Sequence, residues 1–294
     1  MKKKVIRSII TLNGDEFDGD KNNVLTFEGL RTLATIRYGG GSIMPQAEII
    51  IYGLNLETMH KLMRIRWQDI SSMTNTIRIE AGEQGGTLTR AYEGNITFAY
   101  IDTSTAPDIA LRITSMIGVY ESFKPANPIS YQGEKSVVEA ISEIATGMGY
   151  LFENHGVSES LMMRDVTLVE TDVNKIRRLC RDYEIDPYID FNSISITPQG
   201  GARNLKIPVL TPKTGMIGYP TPTIQGVDVR ALWDPSINFG GIVRIQDSIM
   251  QTTNGDWRVF GITAQLESEM PGGNWFVDIK AAHRDAKNAA ISRA

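Results

Sequence analysis

The chain has 294 residues, 41% of them hydrophobic and 22% charged, with a net charge of −4. That length lies where single cores stop growing and predicts two domains, or one domain carrying an inserted second, while the near-average composition excludes wholesale disorder. The charge removes the general electrostatic argument for tight nucleic-acid binding, which needs clustered Lys and Arg to displace counterions.

Apolar runs such as 49–52 fall far short of the ~20 residues of a spanning helix, so no membrane insertion is expected. Lys2, Lys3 and Lys4 are followed by a polar stretch at 13–23 before any long apolar segment, which predicts no secretory signal and folding in a cytoplasm. The single cysteine, Cys180, excludes an internal disulfide and a multi-cysteine metal cluster.

In chain order, residues 5–12 alternate as a strand and run into a polar turn, 13–20. The carboxylates from Asp15 to Asp20 do not fall at the alternate positions of a calcium loop, and a solvated turn is expected. Residues 47–52 read as a buried β-branched strand, and Asn55 caps a short helix whose Met59, Leu62 and Met63 share a face that packs back onto that strand. Strands are predicted at 76–80, 88–92, 96–101 and 108–119.

Pro125 and Pro128 suit a crossing between domains, placed near 127. Beyond it, helical spacing predicts a helix over 134–146 ended by Gly147 and Gly149, and another over 172–183 with Thr171 as cap and Cys180 on the apolar face. Strands at 188–190 and 193–197 complete a small α+β unit. The last third returns to β texture at 224–233, 242–248, 257–267 and 274–281. The two β-rich stretches share a loose plan of strands around a turn-rich centre, with no sequence repeat.

Reactive constellations are missing. His60, His155 and His283 are not spaced as metal ligands, no Gly-x-Ser-x-Gly elbow occurs, and Cys180 sits where a thiolate is disfavoured. Gly133-Glu134-Lys135-Ser136 lacks the second glycine and the Gly-Lys step of a phosphate loop and reads as a helix start; Gly39-Gly40-Gly41-Ser42 reads as a loop. No catalytic residue, cofactor or metal is expected. Two classes stay in view: a cell-wall-degrading enzyme using two of the 34 acidic residues, and a polysaccharide-binding module using Trp67, Trp233, Trp257 and Trp275, for which core packing is the simpler account.

One stretch is more specific. Leu210-Thr211-Pro212-Lys213-Thr214-Gly215-Met216-Ile217-Gly218-Tyr219-Pro220, followed by a segment holding Trp233-Asp234-Pro235 and Gly240-Gly241, resembles phage baseplate hub proteins of contractile tails. Segments 47–62, 255–259 and 273–277 extend the resemblance over most of 45–282. Physically, Gly215 and Gly218 supply unusual φ near Pro220, and Asp234-Pro235 stops a strand so that Gly240 can restart the next, so the motif residues Gly215, Gly218, Pro220, Trp233, Asp234, Pro235 and Gly240 are fold determinants.

The resemblance implies an α+β, mainly β chain with two tail-tube-like β-barrel domains, 1–126 and 201–294, and a small α+β domain between them, 127–200. It further implies a homotrimeric ring with a central channel at the virion's tail baseplate, assembled in the bacterial host cytoplasm. Its partners would be a tail-tube or tube-initiator protein above, a spike below and other baseplate proteins. Genomic DNA would pass transiently without specific binding. A hub of a related injection or secretion system is the neighbouring expectation.

Overall fold

In a computed structural model, residues 2–13, 22–39, 44–63, 74–104 and 106–284 are described. The acidic turn 15–20, the glycines at 40–41 with Ser42, Trp67 and the tail beyond 284 lie outside these residues. The fold is α+β and mainly β. No helix among the described residues is long and apolar enough to cross a membrane.

The first β unit comprises β1 (Lys4–Thr11), β2 (Val24–Glu28), β3 (Thr32–Gly39), β4 (Gln46–Tyr52), β5 (Thr76–Glu83), β6 (Thr89–Asp102) and β7 (Ala110–Met116). Between β4 and β5 lies α1 (Leu56–Met63), whose start is set by Asn55: its side chain accepts from the Thr58 N–H at 2.7 Å. Met59 and Leu62 are fully buried in the same core as Ile49 and Ile51 of β4, Met63 is exposed, and the helix backbone runs close to β6. β6 is one 14-residue strand where the sequence suggested two. Gly94, read as a turn, lies inside it because a Cβ there would sit 2.4 Å from the Tyr92 hydroxyl.

The middle unit holds α2 (Val119–Phe123), β8 (Ile129–Ser136), α3 (Val137–Gly147), β9 (Leu151–Asn154), β10 (Met162–Leu168), α4 (Asp172–Asp182), β11 (Ile185–Ile189) and β12 (Ser193–Pro198). Residues 134–136, expected as helix, end β8 instead, and Ser136 caps α3 by accepting from the Glu139 N–H. The Thr171 side chain makes no cap hydrogen bond. Val137, Ile141, Ile176, Leu179, Cys180, Ile194 and Ile196 form a separate core. Lys175, fully buried, is satisfied by the Asn127 carbonyl at 2.6 Å and Asp172 at 2.9 Å, which ties α4 to the proline-bearing crossing.

The second β unit comprises β13 (Val209–Leu210), β14 (Met216–Thr223), β15 (Gly226–Leu232), β16 (Ile242–Ile245), β17 (Gly255–Ser268) and β18 (Trp275–His283). Its pairing order, β14-β15-β18-β17-β16-β13, repeats β3-β4-β7-β6-β5-β1 of the first unit strand for strand and in chain order. β2 has no counterpart, and β13 pairs parallel where β1 pairs antiparallel. The loose shared plan of the sequence is thus a repeat of topology. The two units merge into one 13-stranded sheet through β3 and β17, in register from Thr32↔Ser268 to Gly39↔Gly261. Their inward side chains, including Ile36, Ile49 and Ile113 from one and Val229, Leu266 and Val277 from the other, form a single core.

Candidate functional site

Trp233, Asp234, Pro235 and Gly240 of the motif lie at the seam where the middle unit meets the sheet, whereas Gly215, Gly218 and Pro220 lie at or in edge strand β14. Gly215 (φ +98°) follows a turn in which the Thr211 hydroxyl accepts from the N–H groups of Lys213 and Thr214, and its carbonyl accepts from the Leu232 N–H at 2.7 Å. Gly218 and Pro220, expected in a turn, lie within edge strand β14. Register passes from Ile217↔Arg230 to Thr221↔Asp228, a two-residue bulge that Gly218 allows at φ +72°. Pro220 is buried, and an edge strand tolerates its missing N–H.

The Trp233 ring crosses that of Trp275 edge to face at 5.8 Å, and the Trp233 backbone N–H donates to the Trp275 carbonyl. Asp234 folds the next turn: its carboxylate accepts from the Ser236 N–H at 2.8 Å and its carbonyl from that of Ile237, with Pro235 between. Gly240 (φ +76°) then brings the backbone against the ring of Tyr188, so closely that a Cβ would lie 2.3 Å from a ring carbon. Tyr188 belongs to β11 of the middle unit, so this glycine is a contact point between units.

Around that contact lies a cavity of about 160 Å³ walled by all three units, with Tyr38 and Arg90 from the first, Asp190 from the middle one, Arg203 from the following segment, and Trp233 and Asn238 from the second. Arg90 reaches Asp190 at 3.7 Å and Glu93 at 3.3 Å. Arg203 lies over the Tyr188 ring and donates to the Ser195 hydroxyl at 3.1 Å. Deeper, Arg258 of β17, 1% exposed, faces Asp186 of β11 at 3.7 Å, and Asp186 also accepts from the Gly200 N–H at 2.8 Å. The Arg90–Asp190 and Arg258–Asp186 contacts follow from β11 being laid across the sheet; sequence reading singled out none of these charged residues, because the partners lie 100 and 72 positions apart and leave no local pattern.

The electrostatics are those of a joint. Burial, with Asp190 adding to it, pushes the Tyr38 phenol far above its usual range, and burial does the same to Tyr92. Burial raises the Asp186 carboxyl, opposed by the Gly200 N–H and Arg258. The Cys180 thiol, 1% exposed, is also pushed up by burial. Each shift favours the neutral form, the reverse of what an activated nucleophile needs. His60 and His283 are exposed and His155 pairs with Glu153; among the described residues no group of three or more His, Cys, Asp or Glu side chains is placed to hold a metal ion. Of the tryptophans among the described residues, Trp257 and Trp275 are buried and Trp233 is half-buried, so these three rings serve packing.

Several solved structures share this architecture. The 43 kDa tail protein of prophage MuSo2 from Shewanella oneidensis matches with a TM-score of 0.59 at 8% identity over 98% of both chains. A tail protein from Neisseria meningitidis MC58 matches with 0.59 at 8% identity over 94% of this chain and 96% of that one. The Escherichia coli c3393 protein, described as a type VI secretion component similar to T4 tail proteins gp27 and gp5, matches with 0.59 at 11% identity over 94% and 77%. At these identities the likeness is one of fold. No curated protein sequence matches the chain significantly. A family model for the baseplate hub gp41 matches residues 6–272, and the chain therefore belongs to that family of phage tail baseplate proteins.

Proposed function

We propose that this baseplate hub protein is the subunit of a homotrimeric ring that joins a six-fold tail tube to a three-fold spike and surrounds the channel through which DNA leaves. The observation that carries this reading is the topological repeat: two equivalent β units per chain, already fused side by side through β3 and β17, make six such units in three chains. The division into 1–126, 127–200 and 201–294 belongs to the same proposal, with the middle unit seated across the seam rather than inserted into the sheet.

Strand arithmetic supports it. Strands β14, β15, β18, β17, β3, β4, β7 and the second half of β6 form one unbroken run with the core on one side and solvent on the other. Eight strands at about 4.8 Å make 24 in three copies, a circumference of about 115 Å and a diameter of about 37 Å. Removing about 5 Å of side chain from each wall leaves an opening of about 27 Å, enough for a DNA duplex.

The outward charges on this run are Asp102, Glu48, Glu267, Asp228 and Asp278 against Arg37, Arg112, Arg230 and Lys280, so 4 − 5 = −1. Arg230 and Asp278 form a bidentate pair at 2.6 and 2.9 Å, and Arg112 pairs with Asp102 at 2.5 Å. A near-neutral, internally paired wall offers phosphates little to hold, which suits passage.

On this reading the protein acts by shape and contact, without catalysis. A hub in a related injection or secretion system is the second reading, favoured by the fold shared with the E. coli secretion component. Imaging of the purified chain with its tail neighbours tests the first: a three-fold ring with an open centre is expected, and a chain monomeric under all conditions refutes it. Clearing of bacterial cell walls by the pure protein, lost on changing one carboxylate, refutes the non-catalytic part.

A further inference from the structure

The strand pair that joins the two β units inside the chain has an unfilled counterpart at the molecule's two ends. In the second unit, the start of β17 pairs with β16, its later part (261–268) pairs on the same side with β3, and β18 takes the opposite side. In the first unit β6 is the equivalent of β17: residues 89–95 pair with β5, and 95–102 pair with β7 on the opposite side. Both strands shift register at the same place, between Val259 and Gly261 and between Ile96 and Phe98.

The β5-side edge of β6 beyond residue 96 has no strand partner among the described residues. Phe98 and Tyr100 stand on that stretch, 47% and 38% exposed, with ring centroids 5.4 Å apart. At the other end β14, the equivalent of β3, is an edge strand. From Met216 to Gly226 it and its turn carry no charge and leave Ile217, Tyr219 and Ile224 exposed, with Ile224 fully so at the tip of a two-residue hairpin. Both ends present apolar side chains to water beside backbone that has no strand partner among the described residues.

We propose that β14 of one copy of this chain docks on the free edge of β6 in the next, repeating between copies the β3–β17 junction made within each. This rests on the ring reading above. Carrying the internal register across places Thr223 opposite Tyr100, as Arg37 stands opposite Thr263, and Ile224 opposite Ala99, as Tyr38 stands opposite Ile262. Ile224 then leaves water where Tyr38 does in the internal junction. Pro220 and Pro222 strip two N–H donors from β14, which discourages pairing with arbitrary strands and leaves this contact to carbonyl acceptors and side-chain burial. Because the two surfaces differ, the contact is head to tail and closes only as a ring.

The test uses the full chain, whose native thiol Cys180 is buried. Tyr100→Cys combined with Thr223→Cys, oxidised and run without reductant, is expected to give a covalent ladder ending at the trimer, with neither change alone sufficing. Arg37→Cys combined with Thr263→Cys is the control and should cross-link within the monomer. In a second measurement, Ile224→Asp and Tyr100→Asp, both at exposed positions, should each unfold at the wild-type temperature, remain monomeric alone, and form a heterodimer and nothing larger when mixed. A wild-type trimer without the Tyr100–Thr223 cross-link, while the control forms, overturns the junction and leaves the ring standing, as does reassembly of the mixed variants into trimers. A wild-type chain that stays monomeric even with its tail neighbours overturns the ring and the junction with it.

Discussion

Gly240→Ala tests whether the seam between units is held as described. The change asks an L-residue to hold φ +76°, at a cost of about 1 kcal/mol. It also places a methyl 2.3 to 2.8 Å from three ring carbons of Tyr188. That ring cannot step aside freely: it is 5% exposed, meets Phe239 edge to face at 5.3 Å and lies under Arg203. Overpacking of this kind costs about 1–3 kcal/mol, so the expected loss is about 2–4 kcal/mol. Urea unfolding followed by tryptophan fluorescence reads it, with a fall in melting temperature of roughly 5–10 °C in a thermal scan. The decisive comparison is Gly240→Ala added to Tyr188→Ala, where the collision is gone and only the φ cost of about 1 kcal/mol remains. An equal penalty in both backgrounds refutes the packing account.

Further outcomes follow from the same seam and from the exposed wall. Arg258→Met strands Asp186 in the core and should cost about 3–5 kcal/mol at neutral pH. The folded chain then holds the Asp186 proton more tightly than the unfolded chain does. The penalty is therefore smallest below the unfolded carboxyl range and grows as pH rises toward the folded value; a penalty independent of pH between 4 and 7 contradicts the assignment. Cys180 should resist a thiol-specific reagent until the chain unfolds, and rapid labelling in native buffer would show that α4 is not packed as described. Changing Glu48, Glu267 and Asp278 together to Lys moves the outward wall from −1 to +5 per chain, since each exchange adds two charges. Virions carrying this hub should eject DNA more slowly at low salt than at high salt, and unchanged, salt-independent ejection would place that face away from the channel.

Much of the local structure was legible. Asn55 announced α1, the apolar spacing of Val173, Ile176, Leu179 and Cys180 announced α4 and its buried face, and Gly215 and Gly218 do adopt positive φ. Strands that break the usual rules were not legible. β14 contains Gly218, Pro220 and Pro222, which read as turn chemistry until its place at a sheet edge accounts for them. β6 carries Gly94 where a Cβ has no room. β2, β3, β8, β9, β10 and β13 passed unnoticed, and β3 is one of the two strands that join the halves of the molecule.

By itself the sequence determined the composition of the cores, the caps and punctuation of the helices, the lack of metal-ligand spacing, and a set of glycines and prolines whose order resembles one family. Those properties depend on neighbours a few residues apart, where helical and strand periods and turn preferences act. Only the tertiary structure decided that β3 pairs with β17 more than 220 residues away, that the second β unit repeats the first, that Tyr188 meets Gly240, that β14 is an edge strand, and that the second half of β6 has no strand partner on its β5 side among the described residues. Strand partners and register are set by which distant edges and buried faces match once the chain has collapsed, and a one-residue slip would turn every core side chain outward.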